Sequence, residues 1–193
     1  MPRYRISWTS PAGPLVALEP SRVELAHHAP TLAAAYNDPN NAPLLGHTEP
    51  STARDVIGHY ERLARRGSHG FLILRDGALI GDADLRGMSG GAAEFAFLVA
   101  AVAEQGKGVG TAIATMVHAF AFAELGLGRV YASIIPRNVA SRRVFEKLGY
   151  ALDSSPAARG FADDPDDVTM VIDRASFEKA HAQAMAEIEI SVR

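Results

Sequence analysis

The 193-residue sequence contains no cysteine, a single tryptophan and no long uninterrupted apolar run. Without cysteine there is no disulfide, no thiol nucleophile and no thiolate metal site. Any thioester chemistry must therefore proceed without an acyl-cysteine intermediate. No apolar stretch approaches the roughly 20 residues that a membrane-spanning helix needs, and the basic start, Met1-Pro2-Arg3-Tyr4-Arg5, lacks the apolar core of a signal peptide. The expectation is a cytoplasmic protein with no membrane partner. No Lys/Arg run makes a basic stripe, and a formal charge of −3 gives no general attraction to nucleic acid. The seven histidines include the pair His27-His28 but form no HExxH and no tight cluster with carboxylates, so no metal is expected.

What is present reads as one globular domain: 48 % hydrophobic and 21 % charged residues can bury a core. We place that domain at residues 14–174, with 1–13 as an N-terminal tail or edge segment and 175–193 as a C-terminal helical extension. A short strand over 15–18 precedes two helical patterns, 23–36 and 51–66, separated by a turn-rich stretch at 37–43. Residues 71–74, 78–85 and 93–99 then read as an antiparallel meander, with turns at 75–77 and 87–91. A strongly apolar helix follows over 110–125, then a strand over 129–135. Asn138 caps another helix, which Gly149 ends. Strands over 150–152 and 168–172 flank an acidic loop, Asp163-Asp164-Pro165-Asp166-Asp167, expected as a solvated tip, and a terminal helix spans 176–188.

The most informative segment is Gln105-Gly106-Lys107-Gly108-Val109-Gly110, between a strand and a helix. Glycines there remove the Cβ atoms that would hold a ligand away, so the amides of the turn and of the first helical turn can converge on a phosphate group. A Walker loop requires Gly-Lys followed by Ser/Thr, but Lys107 is followed by Gly108. A dinucleotide fingerprint requires GxGxxG, and the spacing here is GxGxG after a meander.

The order strand, Gln105-x-x-Gly108-x-Gly110, helix, strand, then Asn138-x-x-Ser141-x-x-Val144-Phe145-x-x-Leu148-Gly149-Tyr150 resembles the GNAT superfamily of acetyl-CoA-dependent N-acetyltransferases. Within it the run 138–150 is most similar to the Rim-type branch, which acetylates ribosomal-protein N-termini. The resemblance implies an α/β (α+β) fold with a central mixed, mostly antiparallel sheet and helices on both faces. It implies that Gln105, Gly106, Lys107, Gly108, Val109, Gly110 and Thr111 hold the pyrophosphate of acetyl-CoA. The pantetheine arm would add along Leu98, Val99 and Ala100, with Asn138, Ser141 and Arg142 as further contacts and Arg137 or Arg143 as alternatives for the 3′-phosphate.

The reaction so implied is attack of a primary amine, on a protein N-terminus or a small molecule, on the thioester within a ternary complex. Glu94, on the strand leading to the turn, is the expected general base. The superfamily often supplies a tyrosine general acid where this chain has Phe145, so Ser141 and Tyr150 stand in as hydroxyl candidates. An alternative is a non-catalytic acyl-CoA-binding module of the same fold, in which Phe145 marks lost chemistry. The acidic loop could steer a cationic amine. The assembly is expected to be a monomer or homodimer.

Overall fold

The computed structural model describes residues 2–46 and 49–193; Met1, in the expected tail, and His47 and Thr48, between the two expected early helices, lie outside the described residues. In chain order the strands are β1 (Tyr4–Ser10), β2 (Gly13–Leu18), β3 (His69–Arg75), β4 (Ala78–Ser89), β5 (Ala92–Val99), β6 (Arg129–Ile134), β7 (Ala151–Leu152), β8 (Val168–Asp173) and β9 (Glu189–Val192). The α-helices are α1 (Arg22–Tyr36), α2 (Ala53–Arg65), α3 (Val109–Ala123), α4 (Val139–Leu148), α5 (Pro156–Arg159), α6 (Arg174–Ala180) and α7 (Ala182–Glu187).

All nine strands join one sheet in the order β7-β8-β6-β5-β4-β3-β2-β1-β9. Every neighbouring pair is antiparallel except β5 and β6. The sheet is therefore mixed and mostly antiparallel, as expected. Two-residue turns set the meander: Asp76-Gly77 joins β3 to β4 with φ of 50° and 79°, the paired left-handed geometry that matches strand twist. Gly90-Gly91 does the same between β4 and β5, so β4 runs through Gly87 rather than ending there, with an irregularity between Arg86 and Ser89.

Alternation along each strand decides the layers. Phe71, Ile73, Ala83, Leu85, Ala93 and Phe95 point to one face, where α3 and the buried Phe145, Leu148 and Phe177 cover them. α3 is buried all round, which explains a sequence with almost no polar stripe. The opposite face is covered in two separate places. The pair α1 and α2 packs over Leu72, and α5 over Ala92 and Tyr131. In the gap between them lie Asp82, Asp84 and Glu94, with side chains of α1 and α2 reaching Asp82 and Asp84.

Both termini differ from expectation. Residues 4–10 are a full strand paired on both sides, because Tyr4, Ile6 and Trp8 alternate with polar residues and β9 supplies the outer partner. The expected single terminal helix breaks at His181 and turns into β9, tied down by Trp8 Nε1 donating to Glu187 at 3.1 Å. The acidic loop keeps Asp163, Asp164 and Asp166 exposed, as expected, but Asp167 is buried and the loop is tied to its surroundings. The Ser133 hydroxyl donates to Asp167 at 2.6 Å, Arg159 donates to the Asp167 carbonyl at 2.8 Å, and Asp163 pairs with Arg86.

Candidate active site

The parallel ladder between β5 and β6 is short. It pairs Ala92, Ala93 and Glu94 with Arg129, Val130 and Tyr131 and then stops, while β6 continues against β8 to Ile134. Beyond Glu94 the two strands diverge, so the edge of β5 from Phe95 to Val99 faces a cavity instead of a strand. The cavity, of about 1410 Å³, exceeds the ~300–1,000 Å³ of an ordinary single-ligand pocket and has room for two substrates. It runs from the N-terminus of α3 and the face of α4, past the open β5 edge, to the gap above β4.

At one end lies the glycine turn. Gly106 and Gly108 sit at φ of 74° and 83°, and a Cβ at either would meet nothing within 4 Å, so both open onto free space in a conformation that favours glycine. The first intrahelical bond of α3 runs from the Ala112 N–H to the Gly108 carbonyl at 3.0 Å. Val109, Gly110 and Thr111 therefore present N–H groups with no preceding turn to bond, at the positive end of a 15-residue helix. Gly110 works differently: its absent Cβ would stand 3.0 Å from Phe97 Cε2 and 3.3 Å from Val144 Cγ2, so this glycine serves close packing of α3 against β5 and α4. Thr111 lines the cavity, Val109 is buried beneath it, and Lys107 is exposed on the turn.

Gln105 bends back, its amide Nε2 donating to the Val99 carbonyl at 2.9 Å, and so fixes the end of β5. The Ala100 N–H is committed to the Ile80 carbonyl at 2.8 Å. Strand alternation then turns the Val99 N–H to the other, open edge. Leu98 and Val99 both line the cavity.

On α4, the Asn138 side chain accepts from the Ser141 N–H at 3.0 Å and donates to the Leu44 carbonyl at 3.1 Å, capping the helix and tethering the early loop. Ser141 faces the cavity. Arg142 does not: it pairs with Glu146 at 2.9 Å, one turn along the helix. The cations that do face inward are Arg143 and Lys147, on the same wall as Ala140 and Val144 and with no ion pair among the described residues. Arg137 reaches the Pro43 carbonyl at 2.5 Å.

The expected acid and base are held elsewhere. Tyr150 is buried, and its hydroxyl meets His118 Nε2 in the core. His118 Nδ1 lies 2.7 Å from the Ala114 carbonyl, so that nitrogen carries the proton and Nε2 accepts from Tyr150. Burial lowers His118 to about 3 and raises the Tyr150 hydroxyl well above its ordinary value. The structure therefore does not bring Tyr150 to the cavity. Glu94, 5 % exposed, is clamped by Arg86, whose Nε donates to one oxygen at 2.9 Å and Nη2 to the other at 2.8 Å. Burial pushes this carboxyl up to about 7 against the downward pull of Arg86. Glu94 lies under the guanidinium and is not among the residues lining the cavity.

The polar wall of the cavity comes instead from β4 and α2. Asp82, Asp84 and Arg86 alternate along β4, opposite Leu98, Ala96 and Glu94 on β5. Asp82 accepts from the hydroxyls of Tyr36 and Tyr60, the latter at 3.3 Å, and burial raises it to about 7. Asp84 Oδ2 lies 3.0 Å from His59 Nε2, while Asp84 Oδ1 is buried without a hydrogen bond. Sequence reasoning passed over this wall. Its one local signal is the charged alternation Asp82-x-Asp84-x-Arg86 inside an apolar strand; nothing in the sequence links His59 to a residue 25 positions later.

A strand that splays from its parallel neighbour beside a glycine-turned helix N-terminus defines a class, and comparison agrees. The family model described as the acetyltransferase (GNAT) domain matches residues 18–151, and the chain belongs to that family. A relative named "Probable N-acetyltransferase YjcK", from Bacillus subtilis (strain 168), is 34 % identical over 108 residues, 54 % of this chain. Those residues span 60 % of that relative's length. Mycobacterium smegmatis RimJ in complex with CoA-disulfide superposes with a TM-score of 0.74 at 20 % identity, over 96 % of each chain. The aminoglycoside acetyltransferase AAC(6')-Ib with coenzyme A and kanamycin gives a TM-score of 0.68 at 22 % identity, over 81 % of this chain and 95 % of that one. These two likenesses concern the fold. No helix among the described residues is long and apolar enough to cross a membrane.

Proposed function

We propose that the protein transfers an acetyl group from acetyl-CoA to a primary amine, directly and within a ternary complex. The observation that carries this reading is the junction of three features in one cavity: the open β5 edge, the unbonded amides at the start of α3, and an acidic wall on the far side. Those amides and the turn at Gly106 and Gly108 suit a pyrophosphate, and Arg143 and Lys147 suit the 3′-phosphate better than Arg142 does. An amide-bearing pantetheine arm suits the edge at Leu98 and Val99, whose open N–H at Val99 is placed to donate to the developing oxyanion. Ser141 and Asn138 lie along the same path.

The acceptor side carries Asp55, Asp82, Asp84, Asp163, Asp164 and Asp166 around the opening, a field that concentrates a cationic amine. A protein N-terminus and a small polyamine both meet that requirement. The test is release of CoA thiol by the purified full chain, supplied with acetyl-CoA and, in separate reactions, spermidine, kanamycin and a short peptide with a free N-terminus. Turnover with any of them supports transfer. A second reading, an acyl-CoA-binding module without chemistry, draws on the inward engagement of Glu94 and Tyr150. Tight acetyl-CoA binding with no thiol release from the whole panel would favour it.

A further inference from the structure

We propose that His59, oriented by Asp84, is the general base that takes the proton from the acceptor ammonium; this rests on the acetyl-transfer reading above. The two other buried bases on the acceptor face already have partners. Glu94 is locked in two hydrogen bonds to Arg86, and Asp82 is held by two tyrosine hydroxyls. His59 differs. Its Nε2 lies 3.0 Å from the Asp84 carboxylate, which can only accept, so Nε2 carries the hydrogen and Nδ1 carries the lone pair. Nδ1 has no partner among the described residues, is not sealed from solvent, and belongs to a side chain that is 32 % exposed on the cavity wall.

Asp84 adds a second reason. Its Oδ1 is buried with no hydrogen bond, the Arg86 guanidinium standing off at 3.9 Å, so its negative charge is incompletely matched until a proton reaches the imidazole. In the β4–β5 register Asp84 faces Ala96, two residues from Leu98, or roughly 7 Å along the strand. His59 lines the same cavity as the open edge at Leu98 and Val99, where a base can act directly or through water. The groups facing it are Asp82, Asp84 and Arg86 from β4, Tyr36 from α1, and Asp55, Tyr60 and Arg62 from its own helix. Asp163, from the loop before β8, is bound to Arg86.

The step balances without another reagent. His59 Nδ1 takes one proton from the ammonium, and the freed nitrogen pair forms the C–N bond to the thioester carbonyl. The C–S bond then breaks, the CoA thiolate takes the second proton from the amide nitrogen, and the imidazolium returns its proton to solvent.

The experiment measures CoA release by the full chain and its variants with the same three amines between about pH 5 and 9. His59→Gln keeps a side-chain donor for Asp84 but has no basic nitrogen. It should lower kcat about 10²- to 10⁴-fold, abolish the acidic limb of the pH profile and leave acetyl-CoA affinity and melting temperature in place. Added imidazole should restore part of the activity of His59→Ala. Asp84→Asn, a change at the positioning residue, should lower kcat and displace the acidic limb, because an amide no longer enforces the tautomer. Activity of His59→Gln within about threefold of the parent, with an unchanged acidic limb, would overturn the assignment. So would losses that track acetyl-CoA affinity and melting temperature with no imidazole rescue. Absence of turnover by the parent protein with all three amines would instead overturn the transferase reading, and this assignment with it.

Discussion

Gly108 and Gly110 lie two residues apart in one motif, yet the structure assigns them different jobs, and a paired substitution separates them. At Gly108, φ is 83° and an added methyl meets no atom within 4 Å, so Gly108→Ala costs only the left-handed backbone strain, about 1–2 kcal/mol. Relaxation of that strain rotates the turn and withdraws an amide from the phosphate position. Losing one hydrogen bond to a charged group costs about 1.5–3 kcal/mol, or about 10- to 100-fold in acetyl-CoA affinity. At Gly110 the methyl stands 3.0 Å from the Phe97 ring and 3.3 Å from Val144, both of which must give way. Overpacking costs about 1–3 kcal/mol, from which about 1 kcal/mol of helix propensity is recovered, leaving roughly 0–2 kcal/mol of lost stability.

In a chain of this size 1 kcal/mol moves Tm by about 2–4 °C, within reach of differential scanning calorimetry. Isothermal titration with acetyl-CoA supplies the second axis. The expected pattern is a large affinity loss for Gly108→Ala and a small one for Gly110→Ala, with drops in Tm of comparable size. If Gly110→Ala lost affinity as steeply as Gly108→Ala while melting like the parent, the division of roles would be refuted.

Three more outcomes follow from the same geometry. Arg143→Ala and Lys147→Ala should each weaken acetyl-CoA about tenfold and dephospho-CoA much less, with Arg142→Ala the mildest of the three; equal losses for both ligands would contradict a 3′-phosphate contact. Arg86→Ala strands a buried carboxylate and should cost about 3 kcal/mol at pH 8 and less at pH 5, where Glu94 takes up a proton, as read by urea unfolding at both pH values. Asp82, held near pH 7 in the folded chain against 3.8 as its ordinary value, binds its proton more tightly folded than unfolded, so its contribution to stability is lost as pH rises from about 4 to about 7. Asp82→Asn should therefore gain stability relative to the parent as pH rises through that window, and a shift in the opposite direction would sink the assignment.

The sequence made the meander, the two glycine-capped helices and the cofactor-side turn legible because each depends on local chemistry. Asp76-Gly77 fixes a hairpin, Gly149 ends α4 at φ of 96°, and α3 announces itself by an apolar run. What stayed hidden depends on partners distant in the chain. β1 looks like a tail until β9 pairs Tyr4 with Val192, and a four-residue strand carries no signal of its own. The acidic loop keeps Asp163, Asp164 and Asp166 exposed, but its ties to Ser133, Arg159 and Arg86 come from distant parts of the chain. Glu94 looked like a base because its position along the strand is right; that the residue across the ladder is an arginine with both donors aimed at it is a fact of register. Asp84 and His59 are separated by 25 residues and meet only because α2 folds over β4.

The distribution of charge around the cavity follows from this topology. Cations at Arg143 and Lys147 stand on α4 beside the unbonded amides of α3, where phosphates would lie. Carboxylates stand on β4 and in the loop before β8, at the end where an ammonium would enter. Between them, on the α4 side, the wall is Phe145, 2 % exposed and packed against Phe95, Phe97 and Tyr150, with no proton to give. That asymmetry is chemically sensible. A thiol with an ordinary value near ~8.5 leaves readily as thiolate, whereas a primary ammonium, near ~10.4 for a lysine-like amine, must lose a proton before it can attack. The difficult proton transfer is thus on the acceptor side. There the chain gathers buried carboxylates and the His59 imidazole with its open lone pair, and it leaves the leaving-group side apolar.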